Sequence, residues 1–283
     1  MTGTLTVRDL SVSYDKRQIV HNVGFHVPPG QVTALIGPNG TGKSTLLGAV
    51  AGLLPSTGHV ELDGTDLLKL KIDKRAKHMA MVPQTTTLTI SFPAREIIAM
   101  GRHPHRGRFV RETPEDQRII DEALDINGVR PFAEHPVDQL SGGQRQLVHL
   151  ARAIAQSAPV LLPDEPTSAL DLQHQVAVYQ LLRQRADAGA TVLVVLHDLN
   201  DVGRWCDRAV LLDRGHIRAE GTTDEVLTAD QLSEVYGIPV AVERTGPRGR
   251  PHHLTVTALP DHPGAGGRVP ELHRTDIHTG ELQ

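Results

Sequence analysis

Residues 37–44 read Gly37-Pro38-Asn39-Gly40-Thr41-Gly42-Lys43-Ser44, set between the apolar run VTALIG at 32–37 and the stretch KSTLLGAVAGLL that opens at Lys43. The octet fits G-x-x-x-x-G-K-[ST], and it lies where that pattern carries meaning, after a short strand and at the start of a helix. Leu46, Leu47, Val50 and Leu53 supply the helical spacing. Glycines let consecutive backbone N–H groups curl around phosphate oxygens without side-chain clash, and the helix N-terminus adds partial positive charge. The expected phosphate cradle is Gly37, Pro38, Asn39, Gly40, Thr41, Gly42, Lys43, Ser44 and Thr45. Lys43 is expected to reach the β- and γ-phosphates, and the Ser44 hydroxyl to ligate Mg²⁺.

Upstream of the octet, Leu5, Val7, Val12, Tyr14, Val23, Phe25 and Val27 fall in alternating patterns broken by DKRQ and PPG, which predicts antiparallel strands. Downstream, GHVELDG (58–64) and MAMVPQ (79–84) read as two more strands. From about Phe92 to Gln156 the texture turns helical through REIIAMG, PEDQRIIDEALDI and GGQRQLVHLARAIAQ, with Pro114 at a helix start. Strands and helices then alternate through PVLLPDE, LQHQVAVYQLLRQRADAG, ATVLVVLHD, DLNDVGRWC, DRAVLLDR and GHIRAEG. That alternation predicts an α/β fold with a parallel sheet, into which about residues 86–156 are a helical insertion. Past 242 the composition becomes rich in Gly, Pro and His. Residues 243–283 are expected to form a flexible tail, with one strand possible at LTVTAL (254–259).

VLLPDE (160–165) delivers two acids at the end of an apolar strand. Asp164 is expected to hold Mg²⁺ beside the phosphates, and Glu165, one residue on, to orient and deprotonate an attacking water. Taken alone, the pair reads equally well as the cap of a following helix. Pro163 is unusual in a central strand because it donates no ladder hydrogen bond. Either one donor is missing there, or the ladder ends before it.

Leu140-Ser141-Gly142-Gly143-Gln144 opens another helix. A serine followed by two glycines is a poor helix start unless backbone N–H groups meet a ligand, and a helix N-terminus with a serine hydroxyl suits a second phosphate contact. LSGGQ in this place resembles the signature of the ATP-binding cassette (ABC) ATPases, and the resemblance extends over about residues 1–240. It implies a P-loop NTPase (RecA-like) core with an antiparallel β subdomain and a helical subdomain. By that resemblance Tyr14 stacks on adenine, with core packing as the competing reading, and Gln84 contacts Mg²⁺ or water. Ser168-Ala169-Leu170-Asp171 crosses a dimer interface, His197 hydrogen-bonds the γ-phosphate, and Ser141, Gly142, Gly143 and Gln144 face the ATP of a second cassette. The implied catalytic set is Glu165, His197 and Gln84, the implied metal set Ser44, Gln84 and Asp164, and the cofactors ATP and Mg²⁺.

Composition narrows the function. The chain has 283 residues, 39% of them hydrophobic and only 3% aromatic, so its core is aliphatic. A net charge of −4 argues against a dedicated nucleic-acid binder. A single cysteine, Cys206, excludes an internal disulfide framework. No apolar stretch approaches the ~18 residues of a membrane span and no secretion signal is evident. The resemblance therefore implies the ATPase subunit of an importer, working at the cytoplasmic face of the membrane. Its implied partners are a second cassette, separate permease subunits and, indirectly, an extracytoplasmic substrate-binding protein, with no nucleic acid. The alternative is a soluble ABC ATPase of nucleic-acid or ribosome maintenance; a P-loop kinase or GTPase would lack LSGGQ. SFPAREIIAMGRHPH, HDLN and DEPTSALDLQHQ resemble importers of iron-siderophore complexes, haem and cobalamin, in that order of preference.

Two sets of residues stay outside this scheme. His252, His253, His262, His273 and His278 are read as solvated, with weak metal binding as the minority view. His103 and His105 are read as part of an exposed basic loop, and Arg102, Arg106, Arg108 and Arg111 as a solvated face, with contact to a partner or lipid headgroups as the minority view.

Overall fold

A computed structural model describes residues 3–14, 17–84, 91–106, 111–246 and 253–259. The elements in chain order are β1 (Leu5–Tyr14), β2 (Arg17–Val27), β3 (Val32–Ile36), α1 (Lys43–Val50), β4 (Thr57–Leu62), β5 (Thr65–Asp66), α2 (Ile72–Arg75) and β6 (Met79–Val82). The helical segment follows with α3 (Ala94–Ala99), α4 (Pro114–Ile126) and α5 (Gly142–Ala155). Then come β7 (Val160–Pro163), α6 (Leu172–Asp187), β8 (Thr191–Val195), α7 (Leu199–Trp205), β9 (Arg208–Asp213) and β10 (His216–Thr222). The chain closes with α8 (Thr223–Val226), α9 (Ala229–Tyr236), β11 (Val240–Thr245) and β12 (His253–Ala258).

Two sheets organise these elements. A six-stranded sheet runs in the order β10-β9-β3-β8-β7-β6, parallel except for β10, and an antiparallel sheet runs β2-β1-β4-β5. The central strands are apolar at nearly every position because both faces are covered. Val32, Ala34 and Ile36 of β3 point into a core shared with the helical segment, while Leu35 points into a second core with Leu46, Leu47, Val50 and the antiparallel sheet. β8 divides likewise, Val192 and Val194 to one core and Leu193 and Val195 to the other. Helix α1 is thus fixed between the sheets, and the phosphate loop before it inherits that rigidity.

Pro163 lies within β7 and pairs with Val82 of β6. Towards β8 the ladder pairs Val160 with Thr191 and Leu161 with Val192, breaks, and resumes as a bridge from Asp164 to Val195. The interruption falls where the proline has no N–H to give. The ladder does not end before residue 163: Asp164 N–H donates to Val82 at 2.8 Å, and Glu165 N–H to Val195 at 3.2 Å.

Two expectations are corrected. Residue 242, where composition shifts, lies inside β11; β11 pairs with β12 from Val240↔Ala258 to Thr245↔His253. Val240 and Leu254 are buried in the main core, which holds this hairpin to the domain. Of the tail histidines only His253 falls among the described residues. Arg102 is not part of a solvated basic loop: it is 6% exposed, bonds Asp116 at 2.9 Å and donates to the Ala155 carbonyl and Ser157 Oγ. His103, His105 and Arg111 are exposed, as expected, although His105 also bonds the Gln156 carbonyl, and Arg106 pairs with Glu112. Arg108 lies outside the described residues.

Candidate nucleotide site

The loop from Gly37 to Gly42 joins the C-terminal end of β3 to α1, and its backbone explains its glycines. Gly37 has φ +145°, and a Cβ there would stand 2.1 Å from the Leu212 carbonyl oxygen. Gly42 caps α1 at φ +100°, with no side-chain hydrogen bond to the helix. Thr41 Oγ1 closes the loop on the Pro38 carbonyl at 2.9 Å. The Lys43 ammonium donates across the loop to the Gly37 and Pro38 carbonyls at 2.8 and 3.0 Å. Burial pushes the Lys43 pKa down, against the opposing pull of Glu165 and Asp164.

Strand β7 brings the two acids to the same edge. Ser44 Oγ donates to Asp164 Oδ1 at 3.2 Å. Burial raises the Asp164 pKa above the usual carboxylate range, with the Ser44 hydrogen bond working the other way. Glu165 stands in the left-handed region at φ +48°, a strained backbone for a residue with a side chain. Its carboxylate, 8% exposed as a residue, accepts from Gln84 Nε2 through one oxygen and hydrogen-bonds His197 Nε2 through the other. Neither acid caps the next helix; Asp171 does so, accepting from the His174 N–H at 2.9 Å.

Six of the expected residues therefore converge: Lys43, Ser44, Gln84, Asp164, Glu165 and His197. Two groups stand apart. Tyr14 ends β1 at 49% exposure, which excludes the core-packing reading. Ser141, Gly142, Gly143 and Gln144 line a separate cleft with Phe132, Leu170, Asp171 and His174. The glycine-rich start of α5 is capped from within. Ser141 Oγ accepts from the Gln144 N–H at 3.2 Å, and the Gln144 side chain accepts from the Ser141 N–H at 2.9 Å. A Cβ at Gly143 would press on the Ala169 carbonyl at 3.1 Å, whereas one at Gly142 would meet nothing within 4 Å. Packing explains Gly143 and leaves Gly142 facing outward.

Residues 20–168 match the ABC transporter family model. The chain belongs to the ABC transporter family. It is 40% identical over 255 residues to the iron(3+)-hydroxamate import ATP-binding protein FhuC of Bacillus subtilis, covering 89% of this chain and 95% of that protein. It is 42% identical over 257 residues to the hemin import ATP-binding protein HmuV of Pseudomonas entomophila, covering 89% and 99%. A solved ABC transporter of the metal-chelate type, in an inward-facing conformation, superposes at a TM-score of 0.78 with 29% identity over 92% of this chain and 98% of that one. The parallel core sheet with its antiparallel β subdomain is the ABC ATPase fold, as the sequence implied. ABC cassettes dimerise and join permeases, and no helix among the described residues is long and apolar enough to cross a membrane.

Sequence reasoning missed α8 and α9. Their signals were present: Thr222 and Glu225 form a capping box, Thr228 caps α9, and Gly237 ends it at φ +70°. It also missed Tyr179, whose hydroxyl donates to Asp201 at 2.8 Å and lies 3.1 Å from Thr167 Oγ1.

Proposed function

We propose that this cassette hydrolyses ATP at the cytoplasmic face of a membrane to drive an importer of iron-siderophore complexes. Haem is the close alternative and cobalamin the third. It would work as a homodimer on separate permease subunits, fed by an extracytoplasmic substrate-binding protein. Kinship with iron-hydroxamate and hemin import proteins supports this substrate class.

The observation that carries the catalytic reading is Glu165 held between Gln84 and His197, beside Asp164 and Ser44. ATP would lie with its phosphates along residues 37–45, the Lys43 ammonium turning from the loop carbonyls to the β- and γ-phosphates. Tyr14 would stack on adenine. Ser44, Asp164 and Gln84 offer hydroxyl, carboxylate and amide oxygens, a donor set that suits Mg²⁺. When bound, that ion would neutralise charge on the phosphate oxygens. Glu165 would take the proton of the water attacking the γ-phosphorus as the bond to the leaving ADP breaks. His197 would hold the Glu165 carboxylate and hydrogen-bond the γ-phosphate. Ser141, Gly142, Gly143 and Gln144 of a second cassette would close over the same phosphates.

Glu165→Gln keeps the shape and removes the base. Turnover should fall about 10²–10⁴-fold while ATP binding persists and the cassettes elute as an ATP-dependent dimer. Full turnover in that variant would overturn the assignment of Glu165. Growth on defined iron sources after deletion of the gene identifies the cargo.

A further inference from the structure

Helix α7 starts two residues after His197, and it is tied on two sides. On one side, Asn200 Oδ1 accepts the backbone N–H of Val256 in β12 at 2.8 Å. One turn later Gly203 lets the hairpin come close, since a Cβ there would stand 2.5 Å from the Leu254 carbonyl oxygen. On the other side, Asp201 accepts from Tyr179, whose hydroxyl also meets Thr167, two residues beyond Glu165. The Tyr179 ring stacks on Trp205 at 5.5 Å. The hairpin itself is anchored: Val240 N–H donates to Ser233 Oγ of α9 at 2.9 Å, and Tyr236 at the end of α9 is half-buried with its hydroxyl against the Gly37 backbone N–H.

We propose that α9 and the paired strands β11 and β12 are a brace on the nucleotide site, holding α7 so that His197 stays on Glu165, with Asn200 as the positioning residue. The inference rests on the proposed role of His197. A rigid seven-residue helix transmits a shift at residue 200 to residue 197, because Asp198 ties the two by accepting the Asn200 N–H at 2.8 Å. Loosening the Asn200–Val256 bond would let the imidazole leave the carboxylate without touching the phosphate loop. The consequence belongs to the chemical step rather than to ATP binding.

The test uses the full-length cassette and four variants: Asn200→Ala, Asn200→Asp, His197→Ala, and His197→Ala combined with Asn200→Ala. Asn200→Ala should lower kcat about five- to tenfold with KM for ATP within about twofold of the parent. Asn200→Asp keeps the acceptor oxygen and should restore kcat. In the His197→Ala background the further loss should vanish, since a positioning residue acts only through the group it positions. Trp205, the chain's one tryptophan, lies on α7, so its emission should shift in Asn200→Ala and not in Asn200→Asp. Gly203→Ala should reproduce the kcat loss by pushing Leu254 away. An equal loss from Asn200→Ala in both backgrounds, a change in KM alone, or an unchanged kcat despite shifted Trp205 emission would each overturn the brace. If His197→Ala keeps full kcat, the reading of His197 fails first and the brace falls with it.

Discussion

In the helical segment Arg102 and Asp116 are 6% and 4% exposed, and at the sheet edge Lys43, Asp164 and Glu165 are 5%, 4% and 8% exposed. Burial is equal; the wiring differs. Burial pushes the Asp116 carboxyl up, but Arg102 and the Thr113 cap outweigh it and hold the pKa at about 2. Asp164 has no such cation bonded to it, and burial leaves its pKa raised. The Lys43 ammonium bonds carbonyls rather than either acid. The first arrangement completes its charges within the chain and serves stability. The second keeps opposite charges close but unbonded, as suits a site that is to receive a charged substrate.

Breaking the paired region should cost stability before it costs chemistry. Arg102→Ala leaves Asp116 buried without its cation and removes two further hydrogen bonds, so unfolding free energy should drop by about 3–5 kcal/mol. Turnover per folded molecule should stay near the parent's. A fall in turnover at unchanged stability would erase the distinction between the two regions.

The helical segment also carries an acid-sensitive group. His149 is fully buried with neither ring nitrogen hydrogen-bonded, and burial, helped by Arg152 and Arg145, lowers its pKa to about 4. The unfolded chain protonates this histidine near 6.5, the folded chain only near 4. Between those values the unfolded state holds the extra proton, so stability falls as pH drops, by about 1.4 kcal/mol per unit at most. Below 4 this loss levels off. Denaturant midpoints from pH 7 to 4 should show the slope, and His149→Leu should flatten it. Parallel slopes in both proteins would assign the acid sensitivity elsewhere.

The smallest effect is expected at the sheet. Pro163→Leu supplies the N–H missing from the β7–β8 ladder, which should stabilise the nucleotide-free domain by about 0.5–1.5 kcal/mol. An equal or lower thermal midpoint would mean that the break between Leu161 and Asp164 carries no cost.

Legibility in the sequence follows the same division. The route from β3 through residues 37–44 into α1 was readable because strand, loop and helix each leave a local pattern. The approach of β7 to Asp164 and Glu165 was readable for the same reason. Arg102 was misread because its partner Asp116 stands on another helix, and HPHR by itself reads as a basic surface. Strand β12 was readable in LTVTAL, but its pairing with β11 and its docking on the domain were not, because they rest on contacts between distant parts of the chain such as Gly203 against Leu254. The strained backbone of Glu165 left no sequence mark, since only the fold imposes it.

The central claim is that each ATP site is completed by a second cassette. If dimers pair with two-fold symmetry, Ser141 of one chain faces Lys43 of the other. A Lys43→Ala chain mixed with a Ser141→Arg chain then keeps one site with both halves intact, while each homodimer keeps none. Measured by equilibrium ATP binding, the mixed dimer should bind more tightly than either homodimer. Equal binding in all three would contradict a shared site.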